Sequence, residues 1–499
     1  MIKKPQPTVL RTQLGCVIVP YRKRQAPSIE EHTGEYDKVY HKYKSYVGFL
    51  LPYRGQISYI TYNRSYDDLA RAFPGYEIQT APIIPPRDMW HRLEIQNVES
   101  LRQAQSEILD QIHQLMPTKP SWFVNLQTNE GKTLLAIYLM VELKYKTWIT
   151  CFSKEILTQW IDKIQKFTNI DPDRILIMSG LVINKLLAGK LDPNDYDVFI
   201  STPLLLDSLA RNRTNYGYIG DLFELCGIGF LIYDEAHRML GNLVKIAACA
   251  NVKHQIYLSA DFAQGSFIRD PIFKSVFHDI PVISPSEDLK RSLMYTKLGI
   301  VKYNTRPTEV EKLSINNRYG FSAEYYMDYQ FKKGVIFGIM DQVMHNYYFG
   351  LEGKYRILIL FVNIKHVDDM YTYLHTKYPG VRVGRFYGEL PEGEKNDTKY
   401  NAEVLVATYG SFSTGLDTEN IKYVISCNQC NKVADNQAAG RSRRLADGSD
   451  AVYLMLVDYG FEYCKFKIKK RLEYLLETKS KDETVYVTNY NPDMHRGEE

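Results

Sequence analysis

Along most of this chain, short apolar runs alternate with longer segments in which apolar residues recur every three or four positions. The runs WFVNL, TWITCF, DVFIST, GFLIYDE and QIYLSAD, between residues 122 and 261, predict buried strands, each followed by a helix-length stretch. The same rhythm returns in RILILFV, RVGRFYG, AEVLVAT, KYVISC and AVYLMLV, between residues 356 and 457. Strands alternating with helices predict parallel sheets covered by helices, so the expected class is α/β with two such domains in series. Ahead of them, VGFLLPY, QISYITYN and GYEIQTAPII alternate aromatic and aliphatic positions with turn residues, which predicts a small strand-rich N-terminal domain. Pro82, Pro85 and Pro86 then precede a helical stretch around residues 100–115.

These patterns divide the chain into an accessory domain over 1–95, a first α/β domain over 96–285, a connector over 286–333, a second α/β domain over 334–480 and a flexible tail over 481–499. The connector is assigned because its span is less regular and richer in charge and Asn. The stretch 461–481, rich in Lys, Arg, Glu and Leu, predicts a closing helix. Length agrees with several domains, since single cores stop growing near roughly 250 to 300 residues and this chain has 499.

Composition narrows the classes. Hydrophobic residues make up 45% and charged residues 24%, which removes the need for disorder or a fibrous repeat. The net charge of +4 permits a nucleic-acid partner without requiring one. Thirty-nine Tyr against 21 Phe could stack on bases, but packing in half-buried strands is the favoured reading. Seven scattered Cys suit a reducing compartment, and the Cys427–Cys430 spacing lacks the second pair that a zinc site needs. Residues 1–24 are basic without an apolar secretion segment, and no run of about 18 apolar residues occurs, so an intracellular protein without a membrane span is expected.

The segment Leu126, Gln127, Thr128, Asn129, Glu130, Gly131, Lys132, Thr133 follows an apolar strand and precedes the helix-like run LLAIYLMVEL. That is the context of a phosphate-binding loop, whose N–H groups and helix dipole face an anion. Lys132 would neutralise the β and γ phosphates and Thr133 would offer a hydroxyl to Mg²⁺. Asn129 and Glu130 stand where glycine is common. About a hundred residues on, FLIY runs into Asp234-Glu235-Ala236-His237, which places two carboxylates at the ligand-binding end of a buried strand. Asp234 can hold Mg²⁺, and Glu235 can orient and deprotonate an attacking water.

In order and spacing these blocks resemble the superfamily 2 helicases over about residues 101–459, and they imply two RecA-like domains with ATP and Mg²⁺ as cofactors. The resemblance implies further roles. Gln105 would read the adenine edge, and Ser259-Ala260-Asp261 would couple hydrolysis to movement, although Asp261 departs from the family's Ser-Ala-Thr. Phe152 with Ser153, and Ser201 with Thr202 and Pro203, would hold the nucleic-acid backbone. In the second domain Phe361-Val362-Asn363 resembles motif IV, with Asn363 on nucleic acid. Thr408 with Gly415, Leu416 and Asp417 resembles motif V, with Thr408 facing nucleic acid and Gly415 and Asp417 the nucleotide. The run from Gln437 to Arg444 matches QxxGRxxR, and Arg441 and Arg444 would reach the γ-phosphate across a cleft, with Gln437 beside them.

Among relatives the mix looks most like the transcript-release helicases of large cytoplasmic DNA viruses and the XPB type. That implies nucleic acid as partner, DNA before RNA, together with transcription or repair machinery, in the host cytoplasm or virion. A nucleic-acid-stimulated ATPase switch that remodels a partner without unwinding, and a binding module that has lost catalysis, stay open as alternatives.

Overall fold

The computed structural model describes residues 6–21, 34–37, 42–45, 47–90, 92–98, 100–126, 130–260, 269–292, 296–317, 320–349, 355–411, 420–428, 432–439, 445, 449–478 and 480–490. The chain divides into two compact units, Met1–Ser286 and Glu287–Glu499.

In the first unit seven strands pair in parallel, in the order Ile175–Ile177, Val198–Ser201, Thr147–Thr150, Phe230–Tyr233, His254–Ser259, Ser121–Asn125 and Val282–Ile283. The inner strands are buried along almost their whole length, which is why they read as continuous apolar runs rather than alternating ones. Their register brings the carboxyl ends level, with Asn125 beside Ser259 and Tyr233 beside both Thr150 and Tyr257. Open parallel sheets bind ligands along that edge.

A five-stranded sheet, in the order Gly48–Tyr53, Gln56–Tyr62, Gly15–Val19, Thr8–Arg11 and Glu77–Thr80, belongs to the same unit. Period-two alternation gives it two apolar faces. Val9, Cys16, Ile18 and Tyr59 pack under the helix Tyr66–Ala72, while Val17, Ile60 and Tyr62 join the core that contains Leu243, Val244 and Ala248. The approach is close: a Cβ on Gly15 would lie 2.5 Å from the Ala248 Cβ. The span expected as an accessory domain over 1–95 therefore shares a continuous core with the sheet behind it.

A buried ion pair ties the same region together. Lys245, on the helix Leu240–Cys249, donates to Asp207 Oδ1 at 2.9 Å, and Asp207 lies on the helix Pro203–Asn212. Tyr216 donates to the same carboxylate at 2.7 Å and Arg211 at 2.6 Å. The Lys245 ammonium also sits 4.4 Å from the centre of the Phe49 ring, on the N-terminal sheet.

The second unit repeats the design, with parallel strands in the order Val383–Phe386, Val404–Thr408, Arg356–Phe361, Ile421–Ser426, Ala451–Asp458, Thr296–Tyr303 and Ser480–Asn489. Two of these strands correct the sequence reading. Thr296–Tyr303, within the expected connector over 286–333, is an inner strand of the sheet. Lys297, Gly299 and Lys302 interrupt its apolar pattern. Yet Lys297 is paired with Asp450 at 3.2 Å, and a Cβ at position 299 would stand 2.5 Å from the Leu454 side chain, so the glycine serves strand packing. Ser480–Asn489, within the expected flexible tail over 481–499, is the edge strand beside it. Its charged first half, SKDE, hides a strand that only pairing with Thr296–Tyr303 makes favourable. The closing helix forms over Glu462–Thr478.

Candidate nucleotide site

The phosphate-loop candidate starts where Leu126 N donates to Ser259 O at 3.1 Å, fixing the end of one strand to its neighbour. Gln127, Thr128 and Asn129 lie outside the described residues. Glu130 is buried, with Arg102 at 3.7 Å, and it is not among the described residues with positive φ. The left-handed position is Gly131, at φ 84°. Glycine alone among the residues takes that conformation without strain, so a glutamate one position earlier carries no conformational penalty.

A Cβ on Gly131 would also push against the Gln105 side-chain amide. Gln105 is buried and its amide is a brace: Nε2 donates to Gly131 O at 3.0 Å and Oε1 accepts from Arg102 N at 2.9 Å. In this structure Gln105, expected to read an adenine, positions the loop.

From Gly131, which has no side chain to cap with, the helix Lys132–Leu143 departs. The N–H groups and positive end of a helix start suit an anion. The Lys132 ammonium is folded back onto Leu126 O at 3.0 Å, and Thr133 Oγ1 accepts from Lys163 Nζ at 3.5 Å. These residues suit a triphosphate with its Mg²⁺: a helix start behind a glycine, a lysine over the loop, a hydroxyl and the acidic pair.

Asp234 and Glu235 follow the strand Phe230–Tyr233 directly. Asp234 N donates to Thr150 O at 2.9 Å, its Oδ2 accepts from Trp160 Nε1 at 2.8 Å, and its Oδ1 accepts from Glu235 N at 3.0 Å. Burial raises its pKa, and the adjoining Glu235 charge raises it further. The Trp160 bond and the Lys132 and Lys163 charges oppose that rise without cancelling it. A divalent cation would relieve the same repulsion.

Glu235 has φ 51°, which for a side chain of this size costs of order 1–3 kcal/mol. Such strain persists where surrounding contacts impose it. Here Ala236 N donates to Leu258 O at 3.0 Å, and His237 Nδ1 lies 3.3 Å from Glu235 Oε2. The same His237 nitrogen meets Ser259 Oγ at 2.7 Å. The shorter contact is the hydrogen bond, so the His237 ring is tied to Ser259 and lies beside the Glu235 carboxylate. Arg238 lies over the Phe152 ring at 4.9 Å; burial lowers its pKa, against the pull of Glu235 and Asp234.

A small cavity lined by Phe152, Pro203, Asp234, Glu235 and Met239 brings three of the expected blocks together. Ser153 and Thr202 cap the helices Lys154–Phe167 and Pro203–Asn212, accepting from Ile156 N and Leu205 N, each at 3.4 Å. Capping uses a hydroxyl oxygen as acceptor and a phosphate contact would use its proton, so the two roles are compatible.

In the second unit Asn363 starts the helix Ile364–Lys377, and Thr408 ends a strand, donating to Ser411 Oγ at 2.9 Å. Gln437 lies in the helix Lys432–Ala439, but its side chain lies outside the described residues, as do Asp261, Gly415, Leu416, Asp417, Arg441 and Arg444. Sequence reasoning missed Trp160 and Lys163. They lie three residues apart on one helix, about 70 positions from the carboxylate they serve, and no local motif links them.

Residues 99–264 match the family model described as Type III restriction enzyme, res subunit. A protein of Acanthamoeba polyphaga mimivirus, provisionally named an ATP-dependent RNA helicase, is 22% identical over 78% of this chain and 70% of its own length. A protein of African swine fever virus with the same provisional description is 28% identical over 27% of this chain, and the match spans only 24% of that relative. Among solved structures, S. cerevisiae Dbp5 bound to RNA and ADP BeF3 superimposes with a TM-score of 0.52 at 14% identity, covering 78% of this chain and 89% of that one. The Dbp5 likeness establishes the tandem RecA-like fold. Among the described residues no helix is long and apolar enough to cross a membrane. In motif order, relatives and fold the chain resembles the superfamily 2 helicases, the viral proteins above among them.

Proposed function

We propose that the protein is an ATP-dependent nucleic-acid helicase or translocase. The observation that carries this reading is the meeting of Lys132, Asp234 and Glu235 at one sheet edge, with Gly131 in the left-handed conformation beside them. Bound ATP and Mg²⁺ would supply the scissile phosphoanhydride and the charge that polarises it. Lys132 would leave Leu126 O for a phosphate, and Thr133 and Asp234 would hold the metal. Glu235, kept in a strained turn with His237 beside it, would take the proton of the attacking water. Arg441 and Arg444 are assigned to the γ-phosphate on sequence grounds alone. Ser153, Thr202, Pro203, Asn363 and Thr408 are assigned to the nucleic-acid backbone in the same way.

DNA as substrate, and a role in viral transcription or repair, follow from the sequence resemblance. The provisional names of the viral relatives favour RNA instead. Displacement of a labelled strand from tailed DNA and RNA duplexes decides between them. Displacement on DNA supports the first reading and displacement on RNA alone the second. ATP turnover without displacement on either would replace the helicase by a translocase or a switch that remodels a partner.

A further inference from the structure

Among the described residues of the second unit the most enclosed arginine or lysine is Arg471, near the middle of the helix Glu462–Thr478 and 3% exposed. Its guanidinium forks onto Asp435, Nε to Oδ2 at 2.8 Å and Nη2 to Oδ1 at 2.7 Å. Nη2 also donates to Ser426 Oγ at 2.8 Å, and Nη1 to Asn428 O at 3.3 Å. Tyr453 Oη donates to Asp435 Oδ1 at 2.7 Å, and the hydroxyls of Tyr409 and Ser426 meet at 2.7 Å. Asp435 is fully buried.

The positions of these partners matter more than their number. Asp435 lies in the helix Lys432–Ala439, which runs straight into the segment holding Gly440, Arg441 and Arg444. Ser426 ends the strand Ile421–Ser426, and Tyr409 follows Thr408 at the end of Val404–Thr408. One guanidinium on the closing helix therefore bonds the helix Lys432–Ala439 and the end of the strand Ile421–Ser426, whose Ser426 hydroxyl in turn meets Tyr409.

Burying such a pair is costly, and apolar residues of similar volume often stabilise a fold as well or better. A planar fork bonded on two sides adds a directional constraint on the helix to the shape fit that apolar packing supplies. The described mechanism gives Arg471 no contact with nucleotide, since its donors go to Asp435, Ser426 and Asn428.

We infer that Arg471 is a positioning residue for ATP turnover: through Asp435 and Ser426 it sets the helix leading to Arg441 and Arg444 against the edge that carries Thr408. The inference rests on the ATPase reading above and adds to it a residue that no motif includes. A displacement of about 1 Å at reacting groups can cost roughly 10²-fold in rate, which sets the effect to expect.

The test compares the full-length wild type with Arg471→Lys and with the double variant Arg471→Met/Asp435→Leu. Melting temperature, kcat and KM for ATP, and affinity for a fluorescent ATP analogue are measured for each. The double variant is expected to melt as high as wild type while kcat falls roughly 10²-fold and nucleotide affinity holds. Arg471→Lys keeps the charge and loses the fork, so its kcat falls as well. A double variant that is stable and turns over like wild type shows the pair to be structural only and overturns the inference. If the double variant does not fold, Arg471→Lys and Ser426→Ala decide, and wild-type kcat in both overturns it. A folded wild type that does not hydrolyse ATP overturns the ATPase reading itself, a distinct outcome.

Discussion

Gly131 shows how much one residue decides. Its left-handed φ strains any side chain there, and a Cβ would push against the Gln105 amide. Gly131→Ala is expected to cost about 1–2 kcal/mol from the backbone alone and to displace Gln105 from the loop. Urea unfolding reads the first effect, and nucleotide titration, weakened at least tenfold by rough estimate, reads the second. Trp160→Phe removes the donor to Asp234 while keeping an aromatic ring in the site, so the Asp234 pKa should rise further and turnover should require more Mg²⁺. An unchanged Mg²⁺ dependence would show that the indole N–H plays no part. At this scale the sequence was readable where chemistry is contiguous. Gly131, Lys132, Asp234 and Glu235 each follow a strand, and strand ends are visible as the end of an apolar run. Trp160, Lys163 and the His237–Ser259 bond depend on how strands are ordered in the sheet, which periodicity does not encode. Gln105 was singled out by chain position, but its bonds to Gly131 and Arg102 depend on how its helix packs against the loop.

Elements were legible in proportion to their burial. The inner strands, such as Phe230–Tyr233 and Val404–Thr408, are apolar throughout and stand out. Thr296–Tyr303 and Ser480–Asn489 carry charged residues that break the apolar pattern, their strand pairing comes from partners far away in sequence, and they were read as connector and tail. The pair of helices joined by Asp207 and Lys245 makes a testable case of the same kind. Burial alone would raise the Asp207 pKa, but the bonds from Lys245 and Tyr216 and the charges of Lys245 and Arg211 outweigh it and hold the carboxyl below its usual 3.8. A depressed acid stabilises the fold above its unfolded pKa and loses that contribution as pH falls through its folded value. Melting temperature should therefore drop below about pH 4. In Asp207→Asn, already weakened by about 3–5 kcal/mol through the unpaired Lys245, that acid-dependent drop should be shallower. Parallel acid limbs in the two proteins would remove Asp207 from the account.

On the scale of the whole molecule, the N-terminal sheet is part of the first unit's core rather than an appendage. Removing residues 1–95 would uncover Leu243, Val244 and Ala248, so a fragment over 96–286 is expected to aggregate where one over 1–286 stays soluble and folded. A soluble, cooperatively melting 96–286 fragment would contradict that. The central claim is that Lys132, Asp234 and Glu235 form an ATPase site driven by nucleic acid. The most direct test is Mg²⁺-dependent ATP hydrolysis by the full chain, alone and with single-stranded DNA, duplex DNA or RNA, beside Lys132→Ala and Glu235→Gln. Hydrolysis that rises with at least one nucleic acid and falls by roughly 10² or more in both variants is the predicted result. A folded wild type that hydrolyses no ATP with any of them, or variants that keep its rate, would contradict it.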